Sequence, residues 1–590
     1  MEKKKINVTI DGKPYQVKGG KTILEACAEI GIKVPSLCYL KDVSHNASCA
    51  ICVVEVKGAR SLVRSCVTAA GDGMEIVTHS PQINQARKMN LELILANHPK
   101  DCLICERNGN CELQDLSATL GIDKTPFPRT KPNENPDDTS LSLIRNPDKC
   151  ILCGRCVAVC AEMQTVYAID FTGRGLRSKI GTYRDQGLGN VACTNCGQCA
   201  LVCPTAAIVE KDDTEEVFRD IYDTNKYVVV QTAPAIRVGI GEAMGMDEGA
   251  LVTGKMVAAL RKLGFDKVFD TQFTADLTIM EEGFELINRI KTGGTLPMVT
   301  SCSPGWIKFI EHFFPKSLDH LSTCKSPQQM FGAVAKTYYA EKLNIDPRNL
   351  VVISIMPCTA KKFECKRPEM NSAFKYWQQK MGLSEQDNFY DVDYVLTTRE
   401  LAKMFKRTGV DFSHLKEEEF DKPLGISTGA GVIFGATGGV MEAAVRTAYE
   451  VITGKPLPSI DLNAVRGFDG IKEAELDLDG TKIKVAVAHT LKNARALLEQ
   501  IEEGKSPYAF IEVMTCPGGC LGGGGQAIPT TWAIRQKRAD SIYKEDTLHA
   551  VRKSHENPAI KAIYEEFLKE PLGHISHELL HTEYEERGVY

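Results

Sequence analysis

The chain has 590 residues, of which 43% are apolar and 25% charged, the balance of an ordinary globular protein. Lys and Arg number 71 against 76 Asp and Glu, and a formal net charge of −5 does not favour binding to nucleic acid or to an anionic membrane. No apolar run approaches the roughly 18 residues that a membrane-spanning helix needs. The N-terminus leads into the short alternating stretch 6–10 instead of the apolar core of a signal peptide, so we expect a cytoplasmic location.

Cysteine is concentrated in the first third of the chain. Of the 22 cysteines, 16 lie before residue 204. Disulfide frameworks give such a density in short secreted chains, but this chain is long and shows no secretion signal. Repeated C-x2-C spacing in a cytosolic protein indicates metal binding instead.

The segment 1–79 is predicted to be a ferredoxin-like module with a β-grasp arrangement. Its alternating and helical patterns predict strands 6–10, 15–17 and 51–56 and a helix at 22–27. A C-x10-C-x2-C-x13-C set suits a 2Fe–2S cluster, although its spacing is not the plant type; its members are Cys38, Cys49, Cys52 and Cys66. Cys27 lies outside this set on an apolar helical face, and we interpret it as a core thiol.

The segment 80–139 is predicted to hold a 4Fe–4S cluster through one imidazole and three thiolates. A helix at 81–96 precedes the ligand loop, whose candidates are His98, Cys102, Cys105 and Cys111. Three Cys and one His would also satisfy tetrahedral zinc. Neighbouring iron–sulfur motifs favour the cluster.

The segment 140–209 contains an internal repeat of the bacterial two-cluster ferredoxin type. In that signature the fourth cysteine of each run ligates the other cluster. One 4Fe–4S cluster is therefore predicted on Cys150, Cys153, Cys156 and Cys203. The second is predicted on Cys193, Cys196, Cys199 and Cys160. Together the front segments predict four clusters, which we interpret as a wire for single electrons.

From residue 210 to 590 the pattern becomes that of an α/β domain. Four β-rich runs, 227–230, 297–300, 351–355 and 510–514, are each followed closely by unusual residues, three of them by cysteine. Ligands of α/β sheets sit beyond the carboxyl ends of strands, so these ends are expected to converge on one site. The glycine-rich segment 516–525 adds two thiols in C-x3-C spacing, and its glycines permit close backbone approach to a bulky group.

Three motifs in this domain resemble those of the iron-only (FeFe) hydrogenases. They are Thr-Ser-Cys-Ser-Pro-Gly-Trp at 300–306, Met-Pro-Cys-Thr-Ala-Lys-Lys-Phe-Glu at 356–364 and Glu-Val-Met-Thr-Cys-Pro-Gly-Gly-Cys at 512–520. The resemblance extends to the front segments, which are also similar to the large iron–sulfur subunit of respiratory NADH dehydrogenase. It implies a two-lobed hydrogenase domain that catalyses reversible oxidation of H2.

The resemblance also implies an H-cluster, a 4Fe–4S cubane joined through a cysteine sulfur to a two-iron centre carrying CO, cyanide and an azadithiolate. By motif position Cys358, Cys516 and Cys520 would hold the cubane, with Cys520 as the bridge. Lys361 would donate to a cyanide and Gln328 would lie near the diatomic ligands. The remaining pocket residues implied are Met356, Met514, Ala233, Pro234, Phe434 and Gly435.

The family conducts protons through a thiol, carboxyls and a hydroxyl. The matching positions are Cys302, Glu282, Ser322 and Glu285. The two glutamates are three residues apart and would share a face of a helix within 276–289. A buried carboxyl with a raised pKa can relay protons near neutral pH.

Ser303 departs from the family, in which the first motif has two adjacent cysteines and the second is a cubane ligand. A hydroxyl is a harder and less acidic donor than a thiol. Three outcomes stay open: Ser303 ligates the cubane, Cys302 moves inward to ligate it, or the cubane has three cysteine ligands and is labile. Cys324 and Cys365 fit no ligand pattern and are interpreted as ordinary thiols, with an oxygen-protection role still open for Cys365.

Two other functions are compatible with parts of the sequence. A respiratory or formate dehydrogenase subunit would share the front segments but needs a pterin-type domain after residue 210. An H2 sensor or an iron–sulfur assembly homologue would keep the catalytic fold without turnover, and Ser303 is the feature that favours it.

The electron partner is left as two alternatives, soluble ferredoxin or flavin-containing NAD(P)-linked subunits, in a complex that can be electron-bifurcating. The glycines at 239–245 miss the G-x-G-x-x-G spacing, so no nucleotide site is predicted in this chain. Maturation proteins that deliver the diiron centre are implied as further partners, and an oligomer is compatible with the module set.

Overall fold

The computed structural model describes residues 4–478 and 481–588. Residues 1–3, which belong to the predicted first module, lie outside the described residues. That module is a five-stranded mixed sheet that packs on the helix Ile23–Glu29. Its strands, in spatial order, are Lys13–Lys18, Lys5–Ile10, Met74–Val77, Val53–Val56 and Val63–Arg64.

The helix of the first module begins where the sequence predicts it. Thr22 is the N-cap, and its hydroxyl and the Glu25 carboxylate each accept the other residue's backbone N–H in a capping box. Ala26 and Cys27 face the core from the same helix. Burial raises the pKa of the Cys27 thiol to about 11, which fits a packed thiol.

The next two modules are small and loop-rich. The second consists of the helices Pro81–Ala96 and Glu112–Thr119 with the cysteine loop between them. The third has two short antiparallel pairs, Leu143–Arg145 with Ile208–Glu210 and Asp170–Thr172 with Lys179–Gly181. Its two helices, Arg155–Ala158 and Gln198–Val202, each follow a glycine in the left-handed region.

The last domain contains two separate four-stranded sheets. The first is fully parallel, in the order Lys267–Asp270, Tyr227–Thr232, Leu350–Ile355 and Tyr394–Leu396. The second has the order Met298–Val299, Phe510–Met514, Thr481–His489 and Ile471–Leu478, with only the last strand antiparallel. The α/β class and the modular order are confirmed. The strand ends that are expected to converge on one site belong to both of these sheets.

The strands of the first sheet are buried along almost their whole length, as parallel sheets covered by helices require. The edge strand Ile471–Leu478 of the second sheet instead carries four charged residues. The helices of the domain are Thr214–Tyr222, Ile240–Ala243, Thr253–Leu263, Thr271–Thr292, Pro304–Phe313, Pro327–Val334, Ala340–Leu343, Ala360–Glu364, Ser372–Met381, Thr398–Arg407, Gly429–Ile433, Gly439–Thr453, Leu491–Glu502, Trp532–Leu548, Pro558–Ile563 and His574–Leu580. Among the helices of the described ranges, none is long and apolar enough to cross a membrane.

Both front modules contact the third module at the same cysteine set. Asn46 of the first module donates to the carbonyl of Cys153 at 3.3 Å. Arg107 of the second module donates to the carbonyl of Cys203 at 2.8 Å. The third module in turn contacts the last domain, where Thr359 donates to the carbonyl of Asn195 at 2.7 Å. Each front module therefore branches from the third module through a contact of its own. The two front modules also contact each other, with Arg87 donating to the carbonyl of Val53 at 2.8 Å.

Candidate active site

A cavity of about 90 Å³ lies where strands of the two sheets end. Five thiols line it: Cys302, Cys358, Cys516 and Cys520 of the last domain, and Cys196 of the third module. Burial raises the pKa of Cys520 to about 12 and that of Cys516 well above its ordinary value. A thiolate in such surroundings needs a cationic partner, and a bound metal centre is the usual one.

The remaining wall of the cavity is largely apolar. Ala233 and Pro234 follow one strand, Met356 follows the next, and Met514 ends a strand of the other sheet. Phe434 closes the wall from the turn after Gly429–Ile433. Gly435, which the resemblance places in the pocket, lies behind it: a Cβ there would be 3.5 Å from the Cβ of Pro234. Gly435 therefore packs behind Pro234 and does not itself line the cavity.

One cation and one amide face the thiols. Lys361 Nζ donates to the carbonyl of Cys302 at 3.1 Å and to Glu364 Oε2 at 2.9 Å. The same carboxylate oxygen accepts from Ser326 Oγ at 2.9 Å and from Gln328 Nε2 at 3.1 Å. Gln328 also lines the cavity, and its buried Oε1 has no hydrogen-bond partner within the described ranges. Glu364 thus orients both Lys361 and Gln328.

Ser303 lines the same cavity at the start of the helix Pro304–Phe313. It occupies the N-cap position, but its side chain makes no capping hydrogen bond. Its Oγ instead lies 2.8 Å from Thr515 Oγ1 and accepts the backbone N–H of Thr515 at 3.3 Å. The hydroxyl is therefore held beside Cys516 and away from the helix it begins.

The predicted relay carboxyls lie behind Cys302. Glu282 is fully buried, and neither of its oxygens has a hydrogen-bond partner among the residues that the structure describes. Burial, and secondarily the nearby Glu285, raise its pKa to about 8. Burial and then the charge of Glu282 also raise the pKa of Cys302 well above its ordinary value.

The outer half of this group is hydrogen-bonded. Ser322 Oγ donates to Glu285 Oε2 at 2.8 Å, and Arg289 donates to Glu285 Oε1 at 2.6 Å. Cys324 is buried next to the same carboxylate, with its Sγ 3.8 Å from Oε2. Glu282 and Glu285 share one face of the helix Thr271–Thr292, as the spacing predicts.

The glycine-rich segment 516–525 positions Cys516 and Cys520 by close backbone packing. Gly518 and Gly519 have positive φ values of 78° and 80°, which favour glycine. A Cβ on Gly523 would lie 1.9 Å from the carbonyl oxygen of Pro357. A Cβ on Gly524 would lie 2.2 Å from the carbonyl oxygen of Cys196. These glycines bring the loops of Cys520, Cys358 and Cys196 together.

The two ferredoxin-type cysteine runs surround two smaller cavities of about 20 Å³ each. The first is lined by Cys150, Cys153, Cys156 and Cys203. The second is lined by Cys193, Cys196, Cys199 and Cys160. Each cavity thus takes its fourth cysteine from the opposite run, and Cys196 also lines the larger cavity.

In the first module Cys38, Cys49, Cys52 and Cys66 are all buried. The sulfurs of Cys38 and Cys49 are 3.4 Å apart, and Cys66 interacts with both Cys38 and Cys52. In the second module Cys102 is exposed, and Cys105 and Cys111 are partly so.

His98 of the second module is prepared to act as a ligand. Burial lowers its pKa to about 4, so its imidazole is neutral at neutral pH. Its buried Nδ1 has no partner among the described residues. A neutral imidazole with a free nitrogen is the form that binds a metal.

Four residues that matter to the site carry no signal of their own in the sequence: Arg289, Lys308, Glu364 and Thr515. Glu364 lies inside a motif already singled out, and Arg289 follows Glu285 by four residues on one helix face, so both could have been found from spacing. Thr515 also lies inside a motif already singled out, but no local pattern shows its hydrogen bond to Ser303, which is 212 positions away. The same holds for Lys308, whose Nζ donates to Asn195 Oδ1 across 113 positions.

Five family models match successive parts of the chain. The iron–sulfur front matches a 2Fe–2S cluster binding domain at 3–81, the NADH-ubiquinone oxidoreductase-G iron–sulfur binding region at 87–126 and a 4Fe–4S dicluster domain at 149–209. The C-terminal domain of the iron-only hydrogenase large subunit matches 226–524. The iron hydrogenase small subunit matches 533–587, a match that the sequence analysis did not anticipate.

Whole-chain relatives have the same order of modules. The subunit HndD of an NADP-reducing hydrogenase from Solidesulfovibrio fructosivorans is 49% identical, covering 99% of both chains. Iron hydrogenase 1 from Clostridium pasteurianum is 40% identical, covering 98% of this chain and 99% of its own. A solved variant of apo FeFe-hydrogenase HydA1 from Chlamydomonas reinhardtii is 42% identical with a TM-score of 0.56, covering 64% of this chain and 100% of its own.

Proposed function

The chain belongs to the iron-only hydrogenases, and we propose that it interconverts H2 with protons and electrons at an H-cluster bound between the two sheets of its last domain. The observation that carries this proposal is the convergence of three strand-end cysteines on one apolar cavity that also presents a lysine. The dehydrogenase alternative is set aside, because the segment after residue 210 is the hydrogenase domain and not a pterin-type domain.

The cavity residues fit an H-cluster. When bound, that cofactor supplies the metal chemistry that splits and forms H2. Cys358, Cys516 and Cys520 would hold the cubane, and Cys520 would bridge to the two-iron centre. Lys361 Nζ would donate to a cyanide, and its fixed position on Glu364 supports that role. Gln328 would face the diatomic ligands, and the apolar wall would exclude water from them.

We assign the fourth position of the cubane to Ser303. Its Oγ lines the cavity beside Cys516 and makes no helix-capping bond; one lone pair accepts the Thr515 N–H, and the other remains for a metal. As a neutral ligand it can keep its proton by donating to Thr515 Oγ1. Cys302 then keeps its thiol for proton transfer, so the relay need not be lost.

Protons would pass between the cavity and the surface through Cys302, Glu282, Ser322 and Glu285. With a pKa of about 8, Glu282 holds its proton at neutral pH and can exchange it with the Cys302 thiol. Ser322 Oγ donates to Glu285 Oε2 and would accept the proton that Glu282 releases. Arg289 keeps Glu285 anchored at the outer end.

Electrons would leave through the third module and then through either front module. We propose one 2Fe–2S cluster, one His-ligated 4Fe–4S cluster and two further 4Fe–4S clusters on the cysteine sets described above. Both front modules touch the set of Cys150, Cys153, Cys156 and Cys203, which supports a wire that would have two outer ends. Two ends suit a chain that exchanges electrons with more than one carrier.

We propose that these ends serve flavin-containing NAD(P)-linked subunits, soluble ferredoxin or both. The support is the whole-chain similarity to a protein named as a subunit of an NADP-reducing hydrogenase. Diiron maturation proteins are further partners that the cofactor requires, and we expect the protein in the cytoplasm.

The testing experiment is anaerobic H2 evolution from reduced viologen, made after loading the chain with the diiron cofactor. Infrared bands of CO and cyanide report occupancy independently of turnover. Rapid evolution is the expected result. Confirmed occupancy with no evolution would contradict the proposal and favour an H2 sensor.

A further inference from the structure

Lys308 is a buried cation with no carboxylate partner. It lies on the helix Pro304–Phe313 and is 7% exposed. Among the described residues no carboxylate oxygen lies within the 4.0 Å of a salt bridge to its Nζ. Its Nζ instead donates to Asn195 Oδ1 at 2.7 Å and lies 4.3 Å from the ring centroid of Phe363. Burying an ammonium ion without a counter-charge is costly, so a nearby anion is expected.

Asn195, the hydrogen-bond acceptor of Lys308, belongs to a loop of cluster-binding cysteines. Asn195 stands between Cys193 and Cys196, and its backbone N–H donates to Cys193 Sγ at 3.4 Å. Its side-chain Nδ2 donates to Ser140 Oγ at 2.9 Å, which fixes the amide oxygen toward Lys308. The cation is thus held against the loop that lines the second small cavity.

The repeat supplies an internal comparison. Leu152 takes the place of Asn195 in the other run, with the same φ of 57° and the same 3.4 Å N–H contact to the preceding cysteine sulfur. An apolar side chain there can hold no cation. In that run Lys149 forms a salt bridge with Glu106 at 2.6 Å, and Arg155 forms one with Glu112 at 2.7 Å. Arg107 of the second module also lies near that run and donates to the Cys203 carbonyl.

We propose that Lys308 raises the reduction potential of the cluster held by Cys160, Cys193, Cys196 and Cys199, and thereby favours the flow of electrons out of the active site. Reduction adds one negative charge to that cluster, and a fixed cation in a dry environment stabilises the reduced form. The electron comes from H2 through the active site, so no further reductant is required. This inference rests on the proposed function, since it needs a cluster in that cavity.

The test compares Lys308→Met and Lys308→Arg in the full-length chain with reconstituted iron–sulfur clusters. Redox titration followed by electron paramagnetic resonance is the readout. In Lys308→Met one 4Fe–4S midpoint shifts to a more negative potential and the others stay in place. Lys308→Arg, which keeps the charge, retains most of the original potential. In the loaded enzyme the ratio of H2 uptake to H2 evolution falls for Lys308→Met.

Methionine has a similar length and removes the cost of burying a charge, so the variant is expected to fold. Asn195→Leu, which copies the other run, is the second variant and shifts the same midpoint in the same direction. Unchanged midpoints in both variants, with full iron content, would overturn the inference. The proposed function is tested apart from it by Cys199→Ala, since an unaltered set of cluster signals there would mean that no cluster occupies this cavity.

Discussion

Glu281 and Glu282 are adjacent in one helix and have opposite surroundings. One carboxylate oxygen of Glu281 accepts from Ser576 Oγ at 2.6 Å. The other accepts from His581 Nε2 and from the backbone N–H of Leu572. Burial alone would raise its pKa, but these hydrogen bonds leave it lowered. Glu282 has no such partner and a pKa raised to about 8. The first carboxylate is structural, and the second is free to exchange a proton.

Glu282→Gln should therefore slow turnover without harming the fold. We expect H2 evolution from reduced viologen to fall by at least about 100-fold, the usual contribution of a positioned acid or base. Infrared bands of the loaded variant should be present at normal intensity. Glu281→Gln is the matched control, and it should lower the free energy of unfolding by about 3 kcal/mol through lost charged hydrogen bonds. Equal turnover for Glu282→Gln and wild type would remove Glu282 from the relay.

The raised pKa of Glu282 also predicts a pH dependence of stability. Below its ordinary value of 4.5 the carboxyl is protonated in both the folded and unfolded chain. Between 4.5 and about 8 the folded chain keeps a proton that the unfolded chain has released, so stability falls as pH rises through this window. Denaturant unfolding across that range should show a shallower fall in Glu282→Gln than in wild type. Parallel curves would contradict the assigned pKa.

Ser303→Cys should change the spectrum of the cubane. A thiolate replaces a hydroxyl oxygen at the fourth position, so the reduced cluster should give an altered resonance signal and a different midpoint potential. The measurement needs only the iron–sulfur form, without the diiron centre. Thr515→Val, which removes the hydrogen-bond partner but no ligand, should give a smaller change. Identical cubane spectra for serine and cysteine would show that this position does not ligate.

At the level of secondary-structure elements, strand ends could be read from the sequence, but their grouping into sheets could not. Each β-rich run that precedes a cysteine is a strand, because parallel buried strands are continuous apolar segments. That the strands ending near Cys302 and Cys516 form a separate sheet depends on pairing between segments about 210 residues apart. The contact of Lys308 with Asn195 could not be predicted from the sequence either, since one lysine in an amphipathic helix has no distinguishing pattern.

At Gly523 the loop of Cys520 packs so closely against the loop of Cys358 that no side chain fits between them. In Gly523→Ala the new Cβ would press on the carbonyl of Pro357, which is backbone and cannot rotate away. We expect at least about 2 kcal/mol loss of stability and reduced iron retention at the cubane, measured by denaturant unfolding and iron assay. Gly71→Ala is the control, because its Cβ would meet only the Met74 side chain at an ordinary 3.6 Å. Full iron retention in Gly523→Ala would show that the loops tolerate separation.

At the scale of the whole molecule, the order of modules along the chain differs from their order in space. The first module is furthest from the active site in sequence, yet it touches the same cysteine loop as the second. Leu91 and Leu113 of the second module and Leu37 of the first pack in one cluster with Cys153. The two front modules are thus branches that each contact the third module and also pack against each other.

Removing residues 1–139 should separate partner exchange from catalysis. We expect turnover with ferredoxin or with NAD(P)-linked flavoprotein subunits to be lost, because both branches are gone. Activity with a small viologen should remain, since the third module and the active site are intact. Iron content and CO and cyanide infrared bands check that the shortened chain is assembled. Loss of both activities in an assembled chain would contradict a role in docking.

The exchange of fourth cysteines in the third module has a consequence for assembly. Cys160 closes the cavity of the later run, and Cys203 closes that of the earlier run. With clusters in place, the two runs would be cross-linked to each other through both clusters. Neither half could then open alone, so the pair would form and fail as a unit. The third module is in this sense a single all-or-none component of the wire.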